Sequence, residues 1–204
     1  MADDTEHSAR HSIVLASRSP RRREILTAMG ASFDVDVAAV DESPLPGETP
    51  RSMVERLALD KVRRVAARHP GRAVLGADTT IDLDGRSLGT PADVAEARAM
   101  LRALSGRTHM VHTAVAVGLD SRTESRVETA VVEFVALDDV TLEEYLATGE
   151  SLDVAGGYAI QGRAAHLASL RRGSFSTVVG LPVQATAELL ARFGLSLGGP
   201  PAYP

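Results

Sequence analysis

Two long runs rich in β-branched residues, His109 to Leu119 and Arg126 to Leu137, lie on either side of a polar turn, and they constrain the fold more than any other stretch of this chain. Such runs favour strands, and strands joined by a short connection pair antiparallel. Around them strands alternate with helices, a pattern that alone would give a parallel sheet. The sheet is therefore expected to be mixed, within an α/β fold.

The alternation reads as follows. Ile13 to Ala16 is a short buried strand and Phe33 to Val37 a half-exposed one. Thr49 caps a helix with Pro50 at its first position, and apolar Met53, Val54, Leu57, Val62 and Val65 mark its inner face until His69-Pro70-Gly71. Ala73 to Leu83 is a strand broken by polar Asp78, Thr79 and Thr80, with an Asp84-Gly85 turn behind it. Thr90-Pro91-Ala92-Asp93 begins a helix that stops at Gly106, with Thr90 as its N-cap. Thr141 and Glu144 form a capping box for a short helix ending at Gly149. Val178 to Pro182 leads into a last helix reaching about Phe193. Residues 1–12 and 195–204 are expected to be disordered, leaving residues 13–194 as one domain.

Composition excludes several classes. Acidic residues number 27 against 22 basic ones, a formal charge of -5, so any anion site must be local and a general affinity for nucleic acid is not expected. There is no cysteine, which removes disulfides, thiolate metal sites and cysteine nucleophiles. Residues 1–12 lack a basic n-region and an apolar h-region, and no apolar run approaches the roughly 20 residues of a membrane span. A cytoplasmic protein without a membrane partner is the expectation. No P-loop, G-x-G-x-x-G, H-E-x-x-H or G-x-S-x-G motif occurs. His109 and His112 are three apart in a strand, which sends them to opposite faces.

One local conflict points to a site. Ser17-Arg18-Ser19-Pro20-Arg21-Arg22-Arg23 follows the first strand and opens a helix, capped by Ser19, with Pro20 in its first turn and Ile25, Leu26 and Met29 facing inward before Gly30. A helix N-terminus carries about half a positive charge, so arginines there repel it unless an anion lies between. Hydroxyls, amides and arginines converging at a strand–helix turn suit a phosphate. The alternative is a solvated basic turn. Lys61 falls on the apolar stripe of its helix, either snorkelling to the rim or serving as a cleft cation. Asp78 sits where a buried strand turns polar, either closing an Asx turn or holding Mg²⁺ or a proton. Glu42 is a loop carboxylate able to share a metal, and Gln161, behind a glycine pair, offers an amide to a base edge.

Taken in order, Ala16-Ser17-Arg18-Ser19-Pro20-Arg21-Arg22, Asp41-Glu42, Lys61, Gly76-Ala77-Asp78-Thr79, Leu104-Ser105-Gly106, Ala155 to Gly162 and Val178 to Pro182 resemble the motifs of the Maf family over about Ile13 to Phe193. The resemblance implies a nucleoside triphosphate pyrophosphatase similar to the inosine triphosphatase group, with two α/β lobes and a mixed central β-sheet around a cleft. It implies Asp78 as general base, Ser17, Ser19, Arg22 and Lys61 on the substrate phosphates, and Glu42 with Asp78 at a divalent metal, Mg²⁺, Mn²⁺ or Co²⁺. Arg21, Thr79 and Gln161 resemble the specificity positions of the dTTP/UTP branch. A homodimer is a family expectation. Two departures stand out, since the family has lysines where this chain has Thr90 and Val154. The missing cation at Thr90 implies weakened or redirected activity and leaves room for a non-catalytic, nucleotide-binding regulator of septum formation.

Overall fold

A computed structural model describes residues 13–37 and 39–197. Residues 1–12 and 198–204, where disorder was expected, lie outside the described residues. Leu195, at the start of the expected tail, is buried, and its amide donates to Leu190 O at 3.0 Å.

The sheet is mixed, as the long runs require. Strands β1 (Ile13–Leu15) and β2 (Phe33–Val35) pair in parallel, and β1 pairs in parallel with β3 (Val74–Leu83). On its other side β3 runs antiparallel to β5 (Thr108–Leu119), which pairs antiparallel with β6 (Arg122–Phe134). The turn between β5 and β6 is tighter than the composition suggested, with Asp120 in the left-handed region at φ 52, so β6 starts and ends earlier than Arg126 and Leu137. Two short strands had no sequence signal: β4 (Arg86–Leu88), hairpinned onto β3, and β7 (Ala168–Arg172), which closes the far edge. The full order is β2-β1-β3-β5-β6-β7, with β4 on β3.

Helix α1 (Pro20–Ala28) has Ser19 as N-cap, as expected, and Gly30 follows in the left-handed region at φ 74. Helix α2 (Pro50–Ala66) carries Thr49 and Ser52 in a reciprocal capping box. The next two caps differ from expectation. Asp93, not Thr90, caps α3 (Val94–Leu104), and Asp138, not Thr141, caps α4 (Asp139–Leu146), accepting from the Thr141 amide. In each case a carboxylate is the N-cap acceptor, favoured by the helix dipole. The last expected helix is present as α6 (Val183–Arg192), directly after Pro182, and a short helix without a sequence signal, α5 (Phe175–Val179), precedes it and ends at Gly180.

Side chains alternate across β3 and build a core on each face of the sheet. Leu75, Ala77 and Ile81 belong to the larger cluster with α1, α3 and α6, while Val74 joins Val54, Ala58, Val62 and Val65 of α2 in the smaller one. Helix α2 lies unusually close to the strands. A Cβ on Gly118 would stand 2.5 Å from Val62 Cγ1, and one on Gly76 would stand 2.8 Å from Val62 Cγ2 and 2.9 Å from Ala58 O. Val62 is thus wedged between two glycines. Gly118→Ala is expected to destabilise the fold by about 1–3 kcal/mol through overpacking, with partial recovery in Gly118→Ala/Val62→Ala; chemical denaturation of the two variants tests this, and equal losses would refute the wedge. Among the described residues no helix is long and apolar enough to cross a membrane.

Candidate active site

The topology leaves a gap in one edge of the sheet. Strand β1 covers β3 only at Val74 and Leu75, with Ala16 N donating to Leu75 O at 2.8 Å, and β4 takes over only at Ile81. Between them the segment Gly76–Thr80 has β5 on one side and, among the described residues, no strand on the other. Asp78 and Thr79 point to opposite faces there, and a cleft of about 290 Å³ reaches both around this open edge. It is lined by the α1 N-terminus, the Glu42 loop, α2 and the Val154–Gln161 segment.

On the α2 face, Asp78 is buried and Lys61 Nζ donates to its Oδ1 at 2.6 Å, while the same ammonium contacts Glu42 Oε1 at 2.8 Å. Oδ2 of Asp78 makes no hydrogen bond among the described residues. Burial raises the Asp78 carboxyl above the usual carboxylate range, with the charges of Lys61 and Arg22 opposing it. Lys61 therefore sits in the cleft wall with its ammonium turned to two carboxylates, instead of snorkelling to water. Asp78 is no Asx turn, since its carboxylate is taken by a side chain 17 positions away.

On the other face, Arg22 is held on three sides: Nε donates to Gly180 O at 2.8 Å, Nη1 to Ser17 Oγ at 3.1 Å and Nη2 to Thr79 Oγ1 at 3.1 Å. Gly180 is required here, because its φ of 116 is one L side chains rarely adopt and a Cβ would stand 3.1 Å from Thr79 Oγ1. Burial lowers the pKa of Arg22, as expected for a cation removed from water. Ser17 Oγ also accepts from Ser19 N at 3.3 Å, so its hydroxyl proton remains available to a ligand. Ser19 Oγ accepts from Arg22 N at 3.4 Å, orienting the first turn of α1. The basic run thus divides, with Arg22 inward, Arg21 at the cleft with its Nη2 on Asp153 O at 2.7 Å, and Arg18 and Arg23 exposed.

Gln161 lines the cleft on the opposite wall, as does Tyr158, which is buried with its hydroxyl 2.7 Å from His109 Nε2. Burial pushes His109 down to about 4, so this pair is a neutral core contact. His112 lies on the other face beside Asp82, as the strand spacing required. Thr90 and Val154, the departures from the family pattern, both line the cleft. Its charged lining is Arg21, Arg22 and Lys61 against Glu42, Asp78 and Asp153. Sequence reading missed the Gly180 and Asp153 carbonyls and, behind Thr79, the Thr113 hydroxyl and the Thr177 carbonyl that accepts from it, because backbone acceptors and buried threonines carry no motif.

Comparison with known proteins follows the same outline. The family model described as "Maf-like protein" matches residues 12–193. A relative from Aromatoleum aromaticum named dTTP/UTP pyrophosphatase is 49% identical over 199 residues, covering 91% of this chain and 97% of its own. One of the same name from Myxococcus xanthus is 49% identical over 185 residues, covering 91% and 94%. Among solved structures, the Staphylococcus aureus Ham1 protein superposes with a TM-score of 0.50 at 15% identity, covering 89% of this chain and 97% of that one, a likeness of fold.

Proposed function

The chain belongs to the Maf-like protein family, and from that membership we propose that it hydrolyses nucleoside triphosphates, dTTP and UTP among them, to the monophosphate and pyrophosphate. The observation that carries the reading is the buried Asp78 at the open edge of β3, held by Lys61 opposite an arginine and two serines. Water attacks phosphorus, the bond to the bridging oxygen breaks, pyrophosphate leaves, and the water proton passes to Asp78. A carboxyl raised by burial is a better proton acceptor than a solvated aspartate. Arg22, Lys61 and the Ser17 and Ser19 hydroxyls hold the phosphate oxygens, and Arg21, Thr79 and Gln161 select the base. Residues 13–194 act as one catalytic domain.

A divalent cation fits the oxygens present. Glu42 and Asp78 converge from a loop and a strand to within 2.8 and 2.6 Å of one nitrogen, and hard cations such as Mg²⁺ are commonly held by one or two carboxylates plus substrate phosphates. These residues would hold the metal, which would neutralise phosphate charge when bound. Lys61, which bridges the two carboxylates, would then be one of the cations facing the phosphates. With Thr90 and Val154 uncharged, this demand falls on Lys61 and Arg22.

The test is pyrophosphate release across a nucleotide panel with added Mg²⁺, Mn²⁺ or Co²⁺. Turnover of dTTP and UTP ahead of purine nucleotides is expected, and absence of release from every nucleotide would refute the reading. No feature of the cleft favours the regulator of septum formation, since Asp78 and its cations are in place.

A further inference from the structure

Thr113, in the middle of β5, is fully buried and has no reason of charge or motif to be polar. Its hydroxyl oxygen is 2.7 Å from Thr177 O, a carbonyl that can only accept, and 3.0 Å from Thr79 Oγ1. A hydroxyl has one proton. The Thr113 proton is committed to Thr177 O, so in the contact between the two threonines Thr79 must be the donor. That in turn turns a lone pair of Thr79 Oγ1 toward Arg22 Nη2 at 3.1 Å. The order of protons runs in one direction, from Arg22 to Thr79 to Thr113 to the Thr177 carbonyl.

We propose that Thr113 is a positioning residue: by taking the Thr79 proton it leaves Thr79 able only to accept from Arg22, and so holds the Arg22 guanidinium in one orientation toward the anion. Arg22 has five N–H protons, and three point to Gly180 O, Ser17 Oγ and Thr79 Oγ1. The two that remain are aimed only as well as those three partners are fixed. Thr177 lies within α5 and Gly180 is its C-cap, so the relay also ties α5 and the turn that follows it to β5. Removing the Thr113 hydroxyl leaves Thr177 O without its donor and lets the Thr79 hydroxyl rotate, including into the position where it would present its proton to Arg22. The inference rests on the nucleotide reading only for the identity of the anion.

The experiment compares Thr113→Val with Thr113→Ser, alone and with Arg22→Lys, which cannot make the three-sided contact. Two readouts are needed: calorimetric binding of inorganic tripolyphosphate, and kcat and KM for dTTP with Mg²⁺. Thr113→Val is expected to weaken tripolyphosphate binding and kcat/KM by about tenfold, the usual effect of one hydrogen bond to a charged group. Thr113→Ser restores most of the loss, and the Thr113→Val effect disappears when Arg22 is already lysine. A lower melting temperature with unchanged binding and kinetics, or equal losses in both Arg22 backgrounds, would mark Thr113 as packing only and overturn the proposal. Weakened anion binding in a protein that turns over no nucleotide would leave the relay standing and remove the pyrophosphatase reading. Failure of the unaltered protein to bind tripolyphosphate at all would overturn the relay's anion role.

Discussion

Asp78→Asn is expected to lower pyrophosphate release by about 10²–10⁴-fold, the usual contribution of a general base, while the fold survives. The amide keeps the volume of the carboxylate, so the packing under α2 is undisturbed, and Lys61 retains Glu42 at 2.8 Å. What disappears is the proton acceptor. The pH profile supplies a second readout. Burial raises the Asp78 carboxyl, and catalysis needs its ionised form, so the rate of the unaltered protein should rise with pH through a midpoint above the ordinary aspartate value of about 3.9. In Asp78→Asn that acidic limb should vanish. Steady-state rates from pH 4 to 9 check both points, and a variant retaining full rate would remove Asp78 from the mechanism.

The parts of this site that were legible in the sequence are those decided within one turn of chain. Ser19, Pro20 and Gly30 delimit α1 through capping, a fixed φ and a left-handed terminus, and the structure keeps all three. The misplaced origin of Lys61 on an apolar stripe was visible too, because helical spacing alone puts it on the buried face. Its partner was not, since Asp78 lies on a strand whose open edge exists only after β1 and β4 have covered other parts of β3. Strands β4 and β7 escaped for a similar reason: each is short and largely exposed, and a neighbouring edge, not its own composition, makes it a strand. The caps at Asp93 and Asp138 had rivals in Thr90 and Thr141 a few residues away, and side-chain chemistry alone does not place a helix start between two such candidates. The Arg22 relay is least legible of all. It joins α1, β3, β5 and α5, and no local pattern encodes the direction of a hydroxyl proton.

Lys61→Met should show how far one ammonium supports both stability and chemistry. Methionine keeps an unbranched stem of similar length on the α2 face, so the loss is chiefly that of the charge. Glu42 is largely exposed, with 62% of its side chain accessible, and can turn to water, but Asp78 at 11% cannot. Removing one partner of a buried ion pair costs about 3–5 kcal/mol, because the other charge is left uncompensated. Asp78 has an escape, which is to bind a proton. Its folded pKa is already raised by burial and should rise further without Lys61, so it is protonated in the folded state at pH values where the unfolded aspartate is not. Such a group contributes stability at low pH and loses it as pH rises through the folded value. The penalty of Lys61→Met should accordingly be smallest at acidic pH and grow as pH rises through the folded value, and urea unfolding at pH 4 and pH 8 measures the difference. Activity follows a different course. At alkaline pH, where Asp78 ionises, the variant still lacks a phosphate cation, and kcat/KM should remain down by at least about tenfold, the value of one charge-assisted hydrogen bond. A penalty independent of pH would show that Asp78 does not titrate in this range, and an unchanged kcat/KM would confine Lys61 to holding the two carboxylates.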